Sequence, residues 1–393
     1  MKKNTYIIII HTALIYMLSS CISAYEATDV EDMSGLLVVE GVILEEGTKI
    51  TLSRTVRLNE SLTPGYIFEG VNFATIHIID EAYNVVAVAE QEGTWGPYIV
   101  KEKFSFVPGM KYALDIDVYW KHYQSAFVEP VSTPAIDSVN WTLNDDNSID
   151  ITVSTHDPNN ETLYSLWEYE ENWELRATRF GSVRFDPITQ TVIQQSLTGD
   201  NRYYCWASDR SKSLLLSSSD KFSNAIIKDY KIHTLYPGNH RYSYLYSINV
   251  SQYRLSREAS EYFNNLQRNI EDGGSLFAPQ PSEITGNIRC LSDPDETTIG
   301  YIFASKAATS RIFIPMEELR LNRYEGLPDC SDLEQPFPSP IDAYFAGYGV
   351  WGTDGHQGFI YASIRCVDCT ERTDARFPSP SKNKPVFWPN DHQ

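Results

Sequence analysis

The chain has 393 residues, of which 32 are Lys or Arg and 52 are Asp or Glu, so its formal net charge is −20. A protein this acidic is a poor partner for nucleic acid or for an anionic lipid surface, and its charge favours solubility outside a cell. The length predicts two domains. The aromatic content of 13%, with 25 tyrosines, is typical of two-faced β-sheets and of exposed contact surfaces.

The first twenty residues have the order of a secretion signal. A basic start, Met1-Lys2-Lys3, is followed by an apolar run that ends in Leu18-Ser19-Ser20-Cys21, the pattern of a lipoprotein signal. The apolar run is too short to span a bilayer comfortably. We therefore expect residues 1–20 to be removed, Cys21 to carry the lipid anchor and residues 21–34 to form a flexible tether. Loss of Lys2 and Lys3 changes the net charge from −20 to −22.

Residues 35–130 alternate short β-branched or aromatic runs with turn residues. About six or seven such runs at this spacing predict a small antiparallel sandwich of immunoglobulin-like or transthyretin-like kind. Trp95 and Trp120 are interpreted as core or rim packing rather than as a platform for a ligand.

Residues 135–325 predict a second, larger β domain with one inserted α-helix at 256–272, so the whole chain is expected to be mainly β with two antiparallel β-sandwich-like domains. Ser256 is a suitable N-cap, and Gly273-Gly274 can end the helix. The apolar stripe should face the second sandwich and comprises Ala259, Tyr262, Phe263, Leu266 and Ile270. The side chains expected mainly in solvent are those of Glu261, Asn265, Gln267, Arg268 and Asn269.

Residues 326–393 form a Pro-rich C-terminal segment that contains cysteines. Apart from Cys21, the cysteines are Cys205, Cys290, Cys330, Cys366 and Cys369. Five is odd, so at most two disulfides form and one thiol stays free, unless a metal is bound. Cys330, Cys366 and Cys369 have the ligand type for zinc, but an exported protein lies in oxidising surroundings. A disulfide from Cys330 to either Cys366 or Cys369 is therefore favoured over a metal.

Catalytic chemistry finds little support in the sequence. The chain contains no Gly-x-Ser-x-Gly, His-Glu-x-x-His or glycine-rich phosphate loop, and we expect neither enzyme activity nor a cofactor. Two patterns leave an alternative open. Glu168, Glu170, Glu171 and Glu174 lie among Trp167, Tyr169 and Trp173, as in a sugar-binding face, although a polar strand face explains them better. The oxygen-rich run Asp145 to Asp150 could bind calcium, but hairpin turns favour the same residues.

The best candidates for contact with a ligand or partner are Tyr344, Tyr348 and Trp351. Gly347, Gly349 and Gly352 are interspersed with these rings and leave both backbone and rings accessible. The alternative is that the stretch is a packed Ω-loop.

Several stretches together resemble a known family. They are Leu37 to Gly41, Ile50 to Arg54, Tyr246 to Tyr253 with the following helix, Gly274 to Phe277, Gly286 to Ile288, Gly300-Tyr301, Cys366 to Cys369 and Lys384 to Trp388. The chain resembles the outer-membrane lipoproteins of domain of unknown function 4249, although Arg372 to Ala375 replaces a glycine pair expected after the Cys-x-x-Cys. The resemblance implies an exported lipoprotein of Gram-negative bacteria that works beside a TonB-dependent outer-membrane receptor. The family supplies no catalytic or binding residues to carry over.

Three functions remain open from the sequence. The first is a lipid-anchored binding or partner module of the outer membrane, on its periplasmic or cell-surface face, that assists nutrient uptake. The second is a surface glycan hydrolase that uses the glutamate-rich strand. The third is an adhesin or structural cell-surface protein.

Overall fold

The computed structural model describes residues 35–55, 69–238, 240–242, 244–272, 286–319, 330, 337–353, 358–373 and 379–389. The predicted signal, Cys21 and the tether lie outside these residues. Among the residues that are described, no helix is long and apolar enough to cross a membrane. The described chain is mainly β-strand with one long helix and two short ones, so the predicted mainly β class is confirmed.

The strands and helices follow one another in two groups. The first nine strands are β1 (Leu37–Ile43), β2 (Lys49–Arg54), β3 (Glu69–Gly70), β4 (Thr75–Asp80), β5 (Val85–Gln91), β6 (Tyr98–Val100), β7 (Tyr112–Val118), β8 (Lys121–Ser125) and β9 (Val131–Ser132). The later elements are β10 (Ile136–Leu143), β11 (Ile149–His156), β12 (Tyr164–Arg176), β13 (Val183–Asp186), β14 (Thr191–Gln194), β15 (Tyr204–Arg210), β16 (Leu215–Ser218), β17 (Ile226–Leu235), β18 (Tyr246–Arg254), α1 (Arg257–Asp272), β19 (Ile288–Cys290), β20 (Phe303–Lys306), β21 (Ala308–Ile314), α2 (Pro340–Phe345), β22 (Tyr348–Thr353), β23 (Phe359–Ser363) and α3 (Ile364–Val367), with 3-10 turns at His240–Tyr242 and Cys369–Glu371.

The first domain is an eleven-stranded sheet in the order β19-β8-β7-β4-β5-β6-β2-β1-β20-β9, with β3 beside β2. Alternate residues of its strands point into one apolar core, as period-two patterning requires. Two features differ from the sequence-based expectation. The pairings of β20 with β1 and with β9 are parallel. In addition, β19 and β20 come from residues that the sequence assigns to the second domain, so the domain boundary is not a single point in the chain.

Two glycines allow residues 286–306, which return from the second domain, to close this sheet. Asn287 N donates to Gly300 O at 3.2 Å, and Val39 N donates to Ile299 O at 2.9 Å, so the β19 end of the sheet meets β1. A Cβ on Gly300, which has φ +138°, would lie 2.1 Å from Val39 O, and a Cβ on Gly286 would lie 1.9 Å from Gly300 O. Only glycine permits so close an approach of two backbones.

The second domain consists of two facing antiparallel sheets. One has the order β10-β11-β17, and the other has the order β15-β12-β18-β21 with β16 also beside β12. Along β11 the residues alternate strictly between the core and the surface, so Ile149, Ile151 and Val153 are fully buried. They meet Trp167 and Trp173 of β12, which are also fully buried. This arrangement is the sandwich that the alternating sequence predicts.

The predicted helix is present as α1. Ser256 Oγ accepts a hydrogen bond from Ala259 N at 3.1 Å, which is the expected N-cap. Ala259 and Tyr262 are buried, and Phe263 and Leu266 are half-buried. The rest of the predicted stripe differs, because Ile270 is 66% exposed.

The surface that α1 covers also differs from the prediction. Phe263 packs edge-on against Phe303 of the first domain, with ring centroids 5.8 Å apart. Ala259 belongs to the same cluster as Phe303 and as Leu166 and Tyr253 of the second domain. The helix therefore fills the junction between the two domains rather than covering the second sandwich alone.

Several exposed aromatic residues have a backbone conformation that L-residues rarely adopt. Phe73, Trp95, Tyr119 and Trp120 have φ between +49° and +66°. This left-handed region costs a non-glycine residue roughly 1–2 kcal/mol. Trp120 is completely exposed and Trp95 is 62% exposed, so the interpretation of both as core or rim packing is wrong. The alternating pattern of the sequence extends through Tyr119 and Trp120 and so suggests that the strand continues. In the structure these two residues form the β7–β8 turn.

A buried ionic network lies inside the second sandwich. The Glu171 carboxylate is paired with Arg241, lies 3.4 Å from His233 Nε2 and accepts a hydrogen bond from Tyr246 Oη at 2.8 Å. Burial alone would raise the pKa of Glu171, but the His233 hydrogen bond and the Arg241 charge outweigh it, so this pKa lies below its ordinary value. Burial and the neighbouring Glu171 charge raise the pKa of Tyr169, which contacts His233, to about 12.

Truncation of the helix at the junction should destabilise the protein. Phe263→Ala removes a half-buried ring from between the domains, so we expect the free energy of unfolding to fall by about 2–3 kcal/mol, somewhat less than for a fully buried ring. Ile270→Ala is the matched control and should change it by no more than about 0.5 kcal/mol, because this side chain is mainly in solvent. Urea unfolding curves measure both values. Equal losses in the two variants would contradict the observed orientation of α1.

The contribution of Glu171 to stability should depend on pH. Because its pKa is lower in the folded chain than in the unfolded chain, its charge stabilises the fold fully above the ordinary glutamate pKa of about 4.3. That stabilisation is lost as the pH falls through the lower folded-state pKa. Glu171→Gln removes one of the two carboxylates beside Arg241 and leaves Asp209 at 3.3 Å, so we expect a cost near pH 7 of about 2–3 kcal/mol, below the roughly 3–5 kcal/mol typical when a buried ion pair loses its only partner.

Chemical unfolding between pH 3 and pH 7 tests this expectation. The difference in unfolding free energy between the wild type and Glu171→Gln should shrink below about pH 4. The control is Glu46→Gln, because the Glu46 carboxylate is mainly exposed in its pair with Lys103. A difference that stays constant with pH would refute the role assigned to the Glu171 charge.

Candidate functional site

The described residues of the C-terminal segment form more regular structure than its composition suggests. Ser339 caps α2 by accepting a hydrogen bond from Asp342 N, and Pro340 occupies the first turn, where its missing N–H costs nothing. Gly347, with φ +85°, follows the helix and leads the chain into β22. The β22–β23 hairpin then packs against the β13–β14 hairpin of the second domain.

Two disulfides hold this segment, one within it and one that attaches it to the second domain. Cys330 is bonded to Cys366, which is one of the two partners that the sequence left open. Cys369 is bonded to Cys205 of β15. Cys290 is buried in the first domain and is the free thiol, so the count of two disulfides and one thiol is confirmed. The thiols that a zinc site would require are therefore engaged in disulfides.

The structure does not bring the three predicted contact residues together. Tyr344 is half-buried and its ring centroid lies 6.0 Å from that of Phe185. The Tyr348 ring packs 5.0 Å from Phe337, in the same cluster. Trp351 lies in a different cluster with Cys366, beneath the guanidinium of Arg179. Tyr348 and Trp351 therefore contribute to packing, and of the three only Tyr344 lines a cleft.

That cleft lies between the turn after β13, the end of α2 and the 3-10 turn after α3. Its volume is about 220 Å³, and its lining residues are Arg184, Phe185, Asp186, Pro187, Ile188, Arg202, Tyr344, Gly349, Val350, Ile364, Val367, Asp368, Thr370 and Glu371. Gly349 allows the hairpin to approach α3, because a Cβ there would lie 2.6 Å from Val367 Cγ2. The lining combines aromatic and aliphatic side chains with charged ones.

The two arginines of the cleft are already paired with carboxylates. Arg184 lies 3.6 Å from Asp186 and 3.0 Å from Asp200, and Arg202 lies 3.9 Å from Asp368. Backbone N–H groups of Ile188 and Thr189 donate to Asp186 and lower its pKa. Asp186 and Asp368 therefore hold their own loops and partner the arginines. The sequence analysis missed Arg184, Arg202 and these aspartates, because surface ion pairs leave no periodic signal.

The glutamate-rich strand does not form a sugar-binding face. Trp167 and Trp173 are fully buried and cannot stack on a sugar ring. Glu171 points into the sandwich core, whereas Glu174 lies on the opposite face and pairs with Arg176. The Glu171 carboxylate is only 1% exposed, so a polysaccharide cannot reach it.

The calcium alternative is not supported either. Asp146 Oδ1 accepts hydrogen bonds from Ser148 N and Ser148 Oγ, and Asn147 has φ +63°, as in a hairpin turn. Within the described part of the chain, no group of three or more His, Cys, Asp or Glu side chains is placed to hold a metal ion.

Comparison with known proteins gives a family and no activity. No curated protein matches the chain. The family called domain of unknown function (DUF4249) matches residues 25–311. The match includes both domains and the β13 side of the cleft, whereas Tyr344 and the resembling tail stretches at Cys366 to Cys369 and Lys384 to Trp388 lie beyond it. With nearly three quarters of its length matched, this chain belongs to the DUF4249 family.

Proposed function

We propose that this protein is a lipid-anchored accessory or ligand-binding protein of the outer membrane that works with a TonB-dependent receptor in nutrient uptake. Family membership and the lipoprotein-like N-terminus support the location and the class of partner. Its action is recognition of a protein surface rather than covalent chemistry. The C-terminal cleft is the candidate contact site for this partner.

The size of the cleft is the observation that carries the proposal. Pockets for small molecules usually measure about 300–1,000 Å³. A cleft of about 220 Å³ falls below this range and suits one or two side chains of a protein loop. Because the arginines of the cleft already have carboxylate partners, they do not form an anion site for a charged nutrient.

The walls of the cleft have the character of a protein contact. Ile188 is 91% exposed, and it lines the cleft together with the half-buried Tyr344 and Phe185 rings. Tyrosine and arginine are the residue types most often found at the centre of protein interfaces. Two hairpins and a disulfide hold these side chains in place, so little conformational entropy is lost when a partner binds.

A pull-down from detergent-solubilised outer membranes tests the site. The wild type should recover a β-barrel receptor that mass spectrometry identifies as TonB-dependent. Tyr344→Ala removes a central ring and should weaken recovery at least about tenfold, which corresponds to about 1.4 kcal/mol. Ile188→Ser should also weaken it, and this exposed change leaves the fold intact.

Phe345→Ala is the matched control. Phe345 is adjacent to Tyr344 on α2 and is 80% exposed, and it does not line the cleft. Its recovery of the receptor should equal that of the wild type. If all three variants recover the same barrel equally well, the cleft is not the contact site. If the wild type recovers no such barrel, the partnership itself is refuted.

The anchor has a separate test. Cys21→Ser should release the protein from the membrane fraction without changing its thermal unfolding, because acyl chains supply the membrane attachment. Cell fractionation followed by mass spectrometry of the N-terminus measures both attachment and acylation. A mutant that still sediments with membranes after its signal is cleaved would overturn the lipid anchor.

A further inference from the structure

One end of the first-domain sheet carries four exposed aromatic side chains. The pairs Thr75↔Asp117 and Ile76↔Ala89 place the start of β4 beside the ends of β7 and β5. Phe73 precedes β4, Trp95 follows β5, and Tyr119 and Trp120 follow β7. Neighbouring strands are about 4.8 Å apart, so these rings share a patch on the order of 10–15 Å wide. We call this patch the aromatic end.

Two polar side chains, the buried Asn72 and the half-buried Gln91, fix the backbone beside two of these rings. Asn72 is 5% exposed, and its Oδ1 accepts hydrogen bonds from Trp95 N at 2.8 Å and from Gln91 Nε2 at 2.6 Å. Gln91 Oε1 in turn accepts from Phe73 N at 3.3 Å. The network fixes the backbone on both sides of the left-handed residues. Phe73 is 90% exposed as a result. Strained backbone that displays large apolar rings to solvent points to a role outside folding.

The predicted tether enters the first domain at this same end. β1 begins beside the end of β2, through the pair Leu37↔Arg54, and Gly35 N donates to Thr55 O at 2.8 Å. The Arg54 guanidinium lies over the Tyr119 ring, with 5.2 Å between its Cζ atom and the ring centroid. The second domain lies at the opposite end, where Val42 at the end of β1 and Leu44 just after it contribute to the junction.

The distance from the lipid to this end is short. Cys21 precedes Gly35 by fourteen residues, so the chain between them spans at most about 50 Å even when fully extended. A flexible chain of this length has a root-mean-square span of roughly 20 Å. In an anchored protein the effective concentration of the aromatic end at the bilayer is therefore in the millimolar range. A weak affinity of this end for the membrane surface is then sufficient to keep it bound.

We infer that the aromatic end inserts its rings into the headgroup region of the bilayer that holds the lipid anchor. Tryptophan and tyrosine rings favour this region, because they have an apolar body and a polar edge. The inference rests on the proposed anchor at Cys21 and adds an orientation to it. The first domain lies against the membrane, and the second domain with its cleft points away from it.

The charges near the aromatic end favour zwitterionic lipid. Lys121 is paired with Asp293 and Glu296, and the Arg54 guanidinium covers Tyr119, so no cluster of free basic side chains is available among the described residues of this end. The whole chain carries a net charge of −20, which repels an anionic surface. The rings, rather than ion pairing, supply the contact.

Fluorescence quenching tests the contact in the mature, acylated chain. The protein is reconstituted in phosphatidylethanolamine–phosphatidylcholine vesicles whose acyl chains carry bromine near the headgroups. Bromine quenches tryptophans that reach it, so the wild type should lose emission relative to unbrominated vesicles. Trp95→Asn with Trp120→Asn leaves six of the eight tryptophans and should abolish this loss. Asparagine tolerates a positive φ, so the double variant should unfold at the same temperature as the wild type or higher.

The control variant is Trp141→Phe, which removes a half-buried tryptophan of the second domain and should leave the quenched emission unchanged. An acylated wild type that sediments with vesicles but is not quenched overturns the inference and leaves the anchor standing. A chain that is quenched without acylation supports insertion of the rings and refutes the anchor. Absence of both acylation and quenching overturns both. If the acylated wild type is not quenched and the double variant loses receptor recovery, the aromatic end is a protein contact instead.

Discussion

The return of the chain to the first domain is the constraint on which the architecture depends. Residues 286–306 leave the second domain, close the first sheet and then enter β21 of the second. Closure requires two backbones to pass where a side chain would collide, which is why Gly286 and Gly300 are needed. The first domain contains β19 and β20, which lie in the sequence between β18 and β21 of the second domain. Neither domain can therefore be cut from the chain as one continuous piece. Any substitution at these glycines should therefore affect both domains.

Because of this exchange of strands, the two ends of the first sheet differ in what they contact. The helix α1 and the Phe303 cluster fill the junction at one end of the first sheet. The chain enters at the other end, beside Gly35 and the four exposed aromatic residues. The cleft with Tyr344 belongs to a third part, attached to the second domain by hairpin packing and by the Cys205–Cys369 disulfide. The molecule thus has three regions with different chemistry: exposed rings at one end of the first sheet, a buried apolar junction at its other end, and a partly charged cleft beside the second domain.

Sequence patterns predicted local structure well and long-range structure poorly. The stripe of α1 and its Ser256 cap depend on residues three or four positions apart, and the helix was placed within one residue of its start. The pairing of β1 with β20 joins residues about 260 positions apart, and no periodicity reports such a contact. Parity of the cysteines gave the number of disulfides. It could not give the partner of Cys205, because Cys369 approaches it only after β15 and the C-terminal turn have packed together.

The errors about aromatic residues have one physical cause. A tryptophan in an alternating run is usually interpreted as a core residue, and this holds for Trp167 and Trp173, whose strand has a partner on each side. Trp120 continues a similar run, but its strand ends in a two-residue turn that requires two positive φ angles, for which asparagine and glycine are the usual residues. Trp120 therefore has an unfavourable backbone conformation, and its ring is exposed to water. At Trp95 the amides of the buried Asn72 and the half-buried Gln91 hold the neighbouring backbone in place, so the exposure is a property of the fold rather than of a loose loop. Folding alone does not favour tryptophan at these two positions. A requirement for contact with another surface would favour it.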